Sequence, residues 1–176
     1  MCSIQIEPVI ETRRLALRRP RMTDAPRLAK LLNDRDLARK TPSIPHPYGL
    51  EDAQACLARA EMADPDQAAL FIIDHPEQGP IGAVGFDSED GAPEMGCWIG
   101  RPFWGCGFAT EAAKGALVWA NRTWKRRYVL ARHFSDDRAS ASVLCKADFL
   151  YTGEVRLSPS AARGEAVPSR MMVWLA

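Results

Sequence analysis

The stretch RPFWGCGFATEAAKGALVWA, Arg101 to Ala120, sets two glycines one residue apart directly before an alanine-rich segment. Behind the glycines, alanines and a leucine recur at helical spacing, which predicts a helix that packs through small residues. A helix start carries unpaired N–H groups and about half a positive charge, and glycines let a ligand approach that backbone closely. The stretch therefore favours an anion site, such as a phosphate site, at the mouth of a helix.

Two common phosphate motifs do not fit this stretch. A mononucleotide-binding loop requires a lysine after its last glycine, and no lysine follows Gly105 or Gly107 at the required place. A dinucleotide-binding fold requires a third glycine near the beginning of a βαβ unit, whereas these glycines lie past the middle of the chain. Local spacing alone is equally consistent with a plain tight turn and with a phosphate site.

Length and composition bound the kind of protein. The chain has 176 residues, 47% of them hydrophobic, which predicts one domain, residues 1–176, with a substantial core. Its 23 basic residues balance 22 acidic ones, so no overall charge favours nucleic acid or a membrane surface, and a small-molecule or peptide partner is favoured. The amino terminus lacks a signal-peptide pattern and no apolar run could span a membrane, so we expect a cytoplasmic protein.

The cysteines and histidines predict neither disulfides nor a metal site. Neither His75 nor His133 has a partner at metal-ligand spacing. The cysteines are odd in number, widely spread and without a C-x-x-C pair, which indicates reduced thiols. They are Cys2, Cys56, Cys97, Cys106 and Cys145.

Hydrophobic patterns predict about seven strands and about four helices, an α/β arrangement. A first strand is predicted at 14–18 and a helix from about Glu51 to Met62, after a stiff proline loop. The segment 158–168, rich in Ser, Ala, Gly and Pro, is predicted as a surface loop between the last two strands.

Two segments resemble the GNAT acetyltransferases. EMGCWIGRPFWGCGFATEA, 94–112, and DDRASASVLCKADFLYTGE, 136–154, are similar to family motifs, and within the family to the RimJ/RimL-like branch that acetylates amino termini of ribosomal proteins. The resemblance covers nearly the whole chain, and its most specific part is the W-G-x-G-[YF]-A-T-E-A pattern. It implies a GNAT fold, with a central mixed, mostly antiparallel sheet flanked by helices.

The resemblance also implies an activity. A GNAT enzyme transfers the acetyl group of acetyl-CoA to a primary amine by direct attack in a ternary complex, and branch similarity favours a peptide or protein amino terminus. A polyamine, an amino acid or an aminoglycoside remains open as acceptor, and so does a non-catalytic acyl-CoA sensing module, since fold does not settle function. No metal, nucleic acid or membrane partner is expected, and the protein is a monomer or a homodimer.

The family pattern places the donor site on the glycine turn. Amides from Gly105 to Ala109, with Thr110, would hold the pyrophosphate, and the strand before the turn would run beside the pantetheine arm while a neighbouring strand splays away. The predicted cofactor-binding residues are Cys97, Trp98, Ile99, Trp104, Gly105, Cys106, Gly107, Phe108, Ala109, Thr110 and Asp137.

Two residues are predicted to be catalytic. A protonated amine must lose a proton before it attacks, and the leaving thiolate benefits from a proton donor. Glu94 matches a position where many relatives carry a carboxylate near the amine, so it is the predicted base, acting through water; the alternative is a solvated strand-end glutamate. Ser140 matches the serine of the family's N-x-x-S pattern and is the predicted donor; the alternative is a first-turn capping serine.

Three residues depart from the family pattern. Asp137 stands where the branch usually has asparagine, which adds a negative charge near a polyanionic ligand. Cys106 stands where a lysine is frequent, which removes a positive one. Asp148 replaces a glycine, so a Cβ could reshape the exit of the last helix. Together they predict weaker acetyl-CoA binding. A basic run at 124–128 is a weaker candidate for contact with the 3′-phosphate of CoA, since such a run is more often a solvated turn.

Overall fold

The computed structural model describes residues 10–88 and 91–176, which are organised around an eight-stranded sheet. The strands are β1 Ile10–Glu11, β2 Ala16–Arg18, β3 Ala68–His75, β4 Gly79–Asp87, β5 Glu94–Ile99, β6 Tyr128–Phe134, β7 Leu150–Ser160 and β8 Glu165–Leu175. The helices are α1 Ala25–Leu32, α2 Arg35–Ala38, α3 Leu50–Met62, α4 Phe108–Arg122 and α5 Arg138–Lys146.

The sheet has the order β1-β2-β3-β4-β5-β6-β8-β7. Strands β5 and β6 are parallel, and the other neighbours are antiparallel. The predicted mixed, mostly antiparallel sheet is therefore confirmed. The strand beyond the seven predicted is β1, whose two residues are too few to show an alternating pattern.

The helices pack against the sheet and form two hydrophobic cores with it. One core packs α4 and α5 against residues such as Val84, Met95 and Met172, and the other packs α1 and α3 against Ile72 and Ala83. The alanines of α4 form its buried face, which lets the helix approach the sheet closely. The buried alanines are Ala112, Ala113, Ala116 and Ala120.

The prediction of a loop at 158–168 is wrong, because β7 and β8 continue to a turn at 161–164. Ser158 and Ser160 are buried within the hairpin. At its tip, the Ala161 amide donates to the Pro42 carbonyl (2.9 Å) and the Arg163 guanidinium binds Asp136 (2.7 Å). These long-range contacts override the turn propensity of a Ser- and Gly-rich segment, as tertiary context commonly does for strands.

Helix α5 ends in a left-handed residue, Asp148, whose φ is +68°. The Phe149 amide donates to the Leu144 carbonyl at 3.1 Å, which is the closing bond of a Schellman motif. The exit thus has the geometry that glycine would give, and the expected reshaping by the Cβ does not occur. The aspartate adopts a conformation that costs an L-residue free energy.

Asp148→Gly is expected to raise the free energy of unfolding by about 0.5–1 kcal/mol, because glycine adopts this conformation without strain. The exposed contact of Asp148 with Lys114 (3.4 Å) contributes little. Urea denaturation measures the change. Asp148→Ala, which keeps the Cβ, is the control, and an equal gain in that variant would contradict the explanation.

Candidate active site

Strands β5 and β6 diverge after a short parallel contact. They pair at Glu94 with Leu130 and at Met95 with Ala131, and the described residues show no further pairing between them. Strand β5 continues to pair with β4 as far as Ile99, and β6 pairs with β8 as far as Phe134. The edge of β5 that faces β6 is therefore open beyond Met95, as the family pattern predicted for the strand beside the pantetheine arm.

The glycine turn lies at the open end of this gap. Gly105 and Gly107 have φ values of +75° and +79°, the left-handed region that glycine adopts most readily. Gly107 is the residue that precedes α4, and Phe108 begins the helix, so the first α4 amides lack helical partners. The predicted residues Gly105 to Thr110 therefore form a turn and helix start suited to an anion.

At the end of β5, Cys97 and Trp98 are half-buried and Ile99 is buried. The Trp104 indole N–H donates to the Ile99 carbonyl at 2.6 Å, which fixes the entry to the turn. Burial raises the pKa of Cys97 to about 12, so its thiol is neutral and is no candidate for a covalent intermediate. Cys106 is exposed, between the two glycines.

Glu94 lies at the end of β5 that is paired with β6. One of its carboxylate oxygens, Oε1, lies 2.6 Å from the Arg132 Nε, and the two side chains are 27% and 30% exposed. Arg132 Nη1 in turn donates to the Ser158 hydroxyl at 3.3 Å. Glu94 is thus partly buried and ion-paired with Arg132.

Asp137 caps α5 and is 2% exposed. Lys40 Nζ lies 2.7 Å from its Oδ1, and the Ser140 hydroxyl donates to its Oδ2 at 2.6 Å. The Ser140 amide also donates to Oδ1, at 3.2 Å. The negative charge that Asp137 adds is therefore compensated by Lys40 within the protein, and the Ser140 hydroxyl is hydrogen-bonded to the cap.

Asp137→Ala is expected to lower the free energy of unfolding by about 2–3 kcal/mol at pH 7, because it removes a cap and leaves Lys40 and Ser140 without their partner. Burial of Asp137 opposes ionisation, but hydrogen bonds from Lys40 and Ser140 outweigh it and lower its pKa. A lowered carboxyl pKa stabilises the fold above the unfolded value of about 4, and this contribution is lost as pH falls through the folded value.

The isosteric variant Asp137→Asn keeps a capping oxygen and removes the charge, so it isolates the pH-dependent part. The stability difference between wild type and Asp137→Asn should shrink as the pH falls from 7 to 3. Urea denaturation at several pH values measures it. A difference that stays constant over this range would contradict the ion pair with Lys40.

A cavity of about 330 Å³ lies at the open end of the gap, between the residues that follow β5 and those that follow β6. Its volume is within the range of small-molecule sites. Acidic and basic side chains both line it, together with one aromatic ring. The lining residues are Asp36, Arg39, Lys40, Trp104, Asp136, Asp137 and Arg163.

The two predicted catalytic residues lie at different ends of the gap. Glu94 is opposite Leu130 on β6, whereas the cap that holds Ser140 follows Phe134 at the end of that strand. From Leu130 to Phe134 the strand rises about 13 Å. A base acting through water and a proton donor on the leaving sulfur lie on opposite sides of a thioester, so this spacing is compatible with both predicted roles.

The basic run 124–128 does not approach the turn. Trp124 donates its indole N–H to the Pro65 carbonyl at 3.0 Å, and Arg126 donates to the Asp66 carbonyl. Both follow the carboxyl end of α4, whose 15 residues separate them from the turn by about 22 Å. This separation favours the solvated turn, the stronger of the two interpretations, over contact with the 3′-phosphate of CoA.

Sequence reasoning did not single out Arg14 and Glu111. They form an ion pair of 2.7 Å directly behind the turn. Glu111 belongs to the ATEA part of the motif, but its partner lies 97 residues away in the chain. No local spacing signals such a pair.

The described part of the chain holds no group of three or more His, Cys, Asp or Glu side chains that could bind a metal ion. Its four cysteines are free thiols; Cys2 lies outside the described residues. None of the described helices is long and apolar enough to span a bilayer.

A glycine turn at a helix mouth, beside a strand whose edge is exposed by a diverging neighbour, is the arrangement that the resemblance to the acetyltransferases implied. Residues 14–150 match the family model described as "Acetyltransferase (GNAT) domain". The chain therefore belongs to the GNAT acetyltransferases, as its motifs predicted. A comparison with curated protein sequences gave no match.

Solved structures share this fold at low sequence identity. RimJ of Mycobacterium smegmatis, in complex with CoA-disulfide, is 15% identical with a TM-score of 0.85, over 97% of this chain and 88% of that one. An acetyltransferase of Salmonella typhimurium that modifies the N-terminal serine of L7/L12 is 16% identical with a TM-score of 0.82, over 96% and 99%. The microcin C7 self-immunity acetyltransferase MccE, in complex with acetyl-CoA and AMP, is 15% identical with a TM-score of 0.80, over 93% of both chains.

Proposed function

We propose that this protein, as one domain, transfers the acetyl group of acetyl-CoA to a primary amine, with a peptide or protein amino terminus as the favoured acceptor. The observation that carries the proposal is the gap between β5 and β6 that opens onto the glycine turn. Near-neutral charge and the cavity of mixed polarity support a small or peptidic partner.

The residues present fit acetyl-CoA. Amides of the turn and of the first α4 residues would bind the pyrophosphate, since they are unpaired helix-start donors next to a backbone that ligands can approach. The open edge of β5, Cys97 to Ile99, offers backbone groups to the amides of the pantetheine arm. The uncharged thiol of Cys97 fits a direct transfer without an acyl-enzyme.

Glu94 would take the proton of the acceptor ammonium, through a water molecule. The Arg132 guanidinium, 2.6 Å from Oε1, holds the Glu94 carboxylate in one direction, and a base must point toward the proton that it accepts. The freed amine lone pair forms the N–C bond, the attacking nitrogen then loses its second proton to solvent, and the electron pair of the broken C–S bond stays on sulfur. The Ser140 hydroxyl would then turn from Asp137 to protonate this thiolate and regain its proton from solvent.

The acceptor distinguishes the favoured function from the second candidate. Neighbours named for acetylating a ribosomal protein support a peptide amine, whereas MccE, of comparable structural similarity, carries AMP and supports a small-molecule amine. The charged groups at the cavity, with Lys40 and Arg163 beside acidic partners, are compatible with either acceptor.

Mass spectrometry of an acceptor panel incubated with acetyl-CoA tests the proposal. The panel contains peptides with varied first residues, the same peptides with blocked amino termini as matched controls, polyamines and aminoglycosides. We expect one acetyl group on the α-amine of free peptides and none on the blocked ones. Label on small amines alone would establish the second candidate, and an unmodified panel would favour a non-catalytic acyl-CoA sensor.

A further inference from the structure

Arg14, which precedes β2, is bound to both the glycine turn and helix α4. Its amide donates to Glu111 Oε1 at 2.6 Å and its Nε to Oε2 at 2.7 Å, so both carboxylate oxygens are engaged. Its Nη1 donates to the Cys106 carbonyl at 3.0 Å. The guanidinium also lies 4.5 Å from the centre of the Phe108 ring. These contacts give the side chain one defined position behind the turn.

The bond to the Cys106 carbonyl fixes the direction of an amide. That carbonyl and the Gly107 N–H belong to one planar trans peptide, in which the two groups point in opposite directions. Because Arg14 draws the carbonyl toward β2, the Gly107 amide points to the other side, away from Arg14. Without this bond the peptide could rotate more easily, since Gly107, one of the two residues that it joins, has the conformational freedom of glycine.

Arg14 also compensates the negative charge of Glu111 near the turn. Glu111 lies in the first turn of α4, and its carboxylate would repel a phosphate bound at the helix start. Burial of Glu111 opposes ionisation, but hydrogen bonds from Arg14 and Thr12 outweigh it and lower its pKa. Arg14 neutralises this charge. It also places a cation beside Cys106, where relatives often carry a lysine.

We infer that Arg14 is a positioning residue for the donor site: anchored by Glu111, it aims the Gly107 amide at the pyrophosphate and cancels the nearest negative charge. The inference rests on the proposed acetyl-CoA site and adds a residue that no motif assigned. It also explains how the turn could bind an anion although Cys106 stands where a lysine is frequent.

Arg14→Gln tests the inference, with Arg13→Gln as a matched control. Arg13 is the adjacent, exposed arginine, so the control removes an equal charge without touching the turn. Calorimetry with acetyl-CoA should show a Kd about 10- to 100-fold higher for Arg14→Gln and within about twofold of wild type for Arg13→Gln, as expected for lost hydrogen bonds to a charged group. Arg14→Gln should unfold a few degrees below Arg13→Gln, because Glu111 and the Cys106 carbonyl lose hydrogen bonds, and both variants should be fully folded at the temperature of the calorimetry.

Glu111→Gln adds a second test, in which the direction of the change in Kd for acetyl-CoA decides. If Glu111 acted on the ligand through its charge alone, removing that charge would tighten binding. We expect a Kd about three- to tenfold higher instead, because Arg14 loses the carboxylate that holds it. Tighter binding would overturn the anchoring role.

An NMR titration with acetyl-CoA reads the Gly107 amide directly. Its cross-peak should shift strongly in wild type and Arg13→Gln, and much less in Arg14→Gln at equal saturation. Equal Kd values, or an equal Gly107 shift, in Arg14→Gln would overturn the inference while leaving the proposed function intact. A wild type that does not bind acetyl-CoA would overturn both.

Discussion

Gly107→Val is expected to raise the Kd for acetyl-CoA by about 100-fold, about 2.7 kcal/mol of binding free energy. The φ of Gly107 is +79°, which a β-branched residue scarcely adopts, so the turn must change conformation. The new Cβ would lie 3.5 Å from Arg14 Nη2, which is ordinary contact, so the effect comes from the backbone and not from a clash. Isothermal titration calorimetry measures it.

Gly153→Val is the matched control for this variant. Gly153 also has a left-handed φ, +86°, and open space around its Cβ position, but it lies in β7, away from the turn. Both variants should lose about 1–2 kcal/mol of folding stability, and Gly107→Val alone should lose the ligand. A similar loss of binding in both would show that the turn has no special part in it.

Glu94→Gln is expected to lower kcat by about 10²- to 10⁴-fold while the Kd for acetyl-CoA changes little, because a glutamine cannot accept the proton of the acceptor amine. The amide keeps the size of the side chain and loses the ion pair with Arg132, which is partly exposed and contributes modestly to stability. Steady-state kinetics with the best acceptor of the panel gives kcat.

Asp148→Asn is the control for losing a carboxylate bound to a cation. The exposed carboxylate of Asp148, after α5, lies 3.4 Å from Lys114 Nζ. Its replacement should leave kcat within about twofold of wild type, as expected for a surface ion pair. If Glu94→Gln retained full kcat, the base would be a different group and Glu94 would be only the partner of Arg132.

The sequence predicted the elements whose signal is local. The alanine stripe of α4, the glycines before it and the period-two strands are patterns of neighbouring residues, and the structure has them where they were expected. The loop predicted at 158–168 failed because its propensities were local while its contacts, with Pro42 and Asp136, were not. Propensity alone cannot register such partners.

The site shows the same division. The spacing of the sequence predicted the roles of Gly105 and Gly107. It did not predict which residues compensate the departures from the family pattern at Asp137 and Cys106. From the sequence, Asp137 adds a negative charge near the ligand and Cys106 removes a positive one. In the structure, Lys40 pairs with Asp137, and Arg14 donates to the Cys106 carbonyl. Both partners lie more than 90 residues away in the chain and meet their targets only in the fold.

A crystal structure of the complex with acetyl-CoA tests the central claim most directly. We predict the pyrophosphate within hydrogen-bond distance of backbone nitrogens between Gly105 and Thr110, and the thioester in the gap between β5 and β6 on the side of Glu94. A donor bound elsewhere, or a gap closed by pairing of β5 with β6 in the complex, would contradict the account.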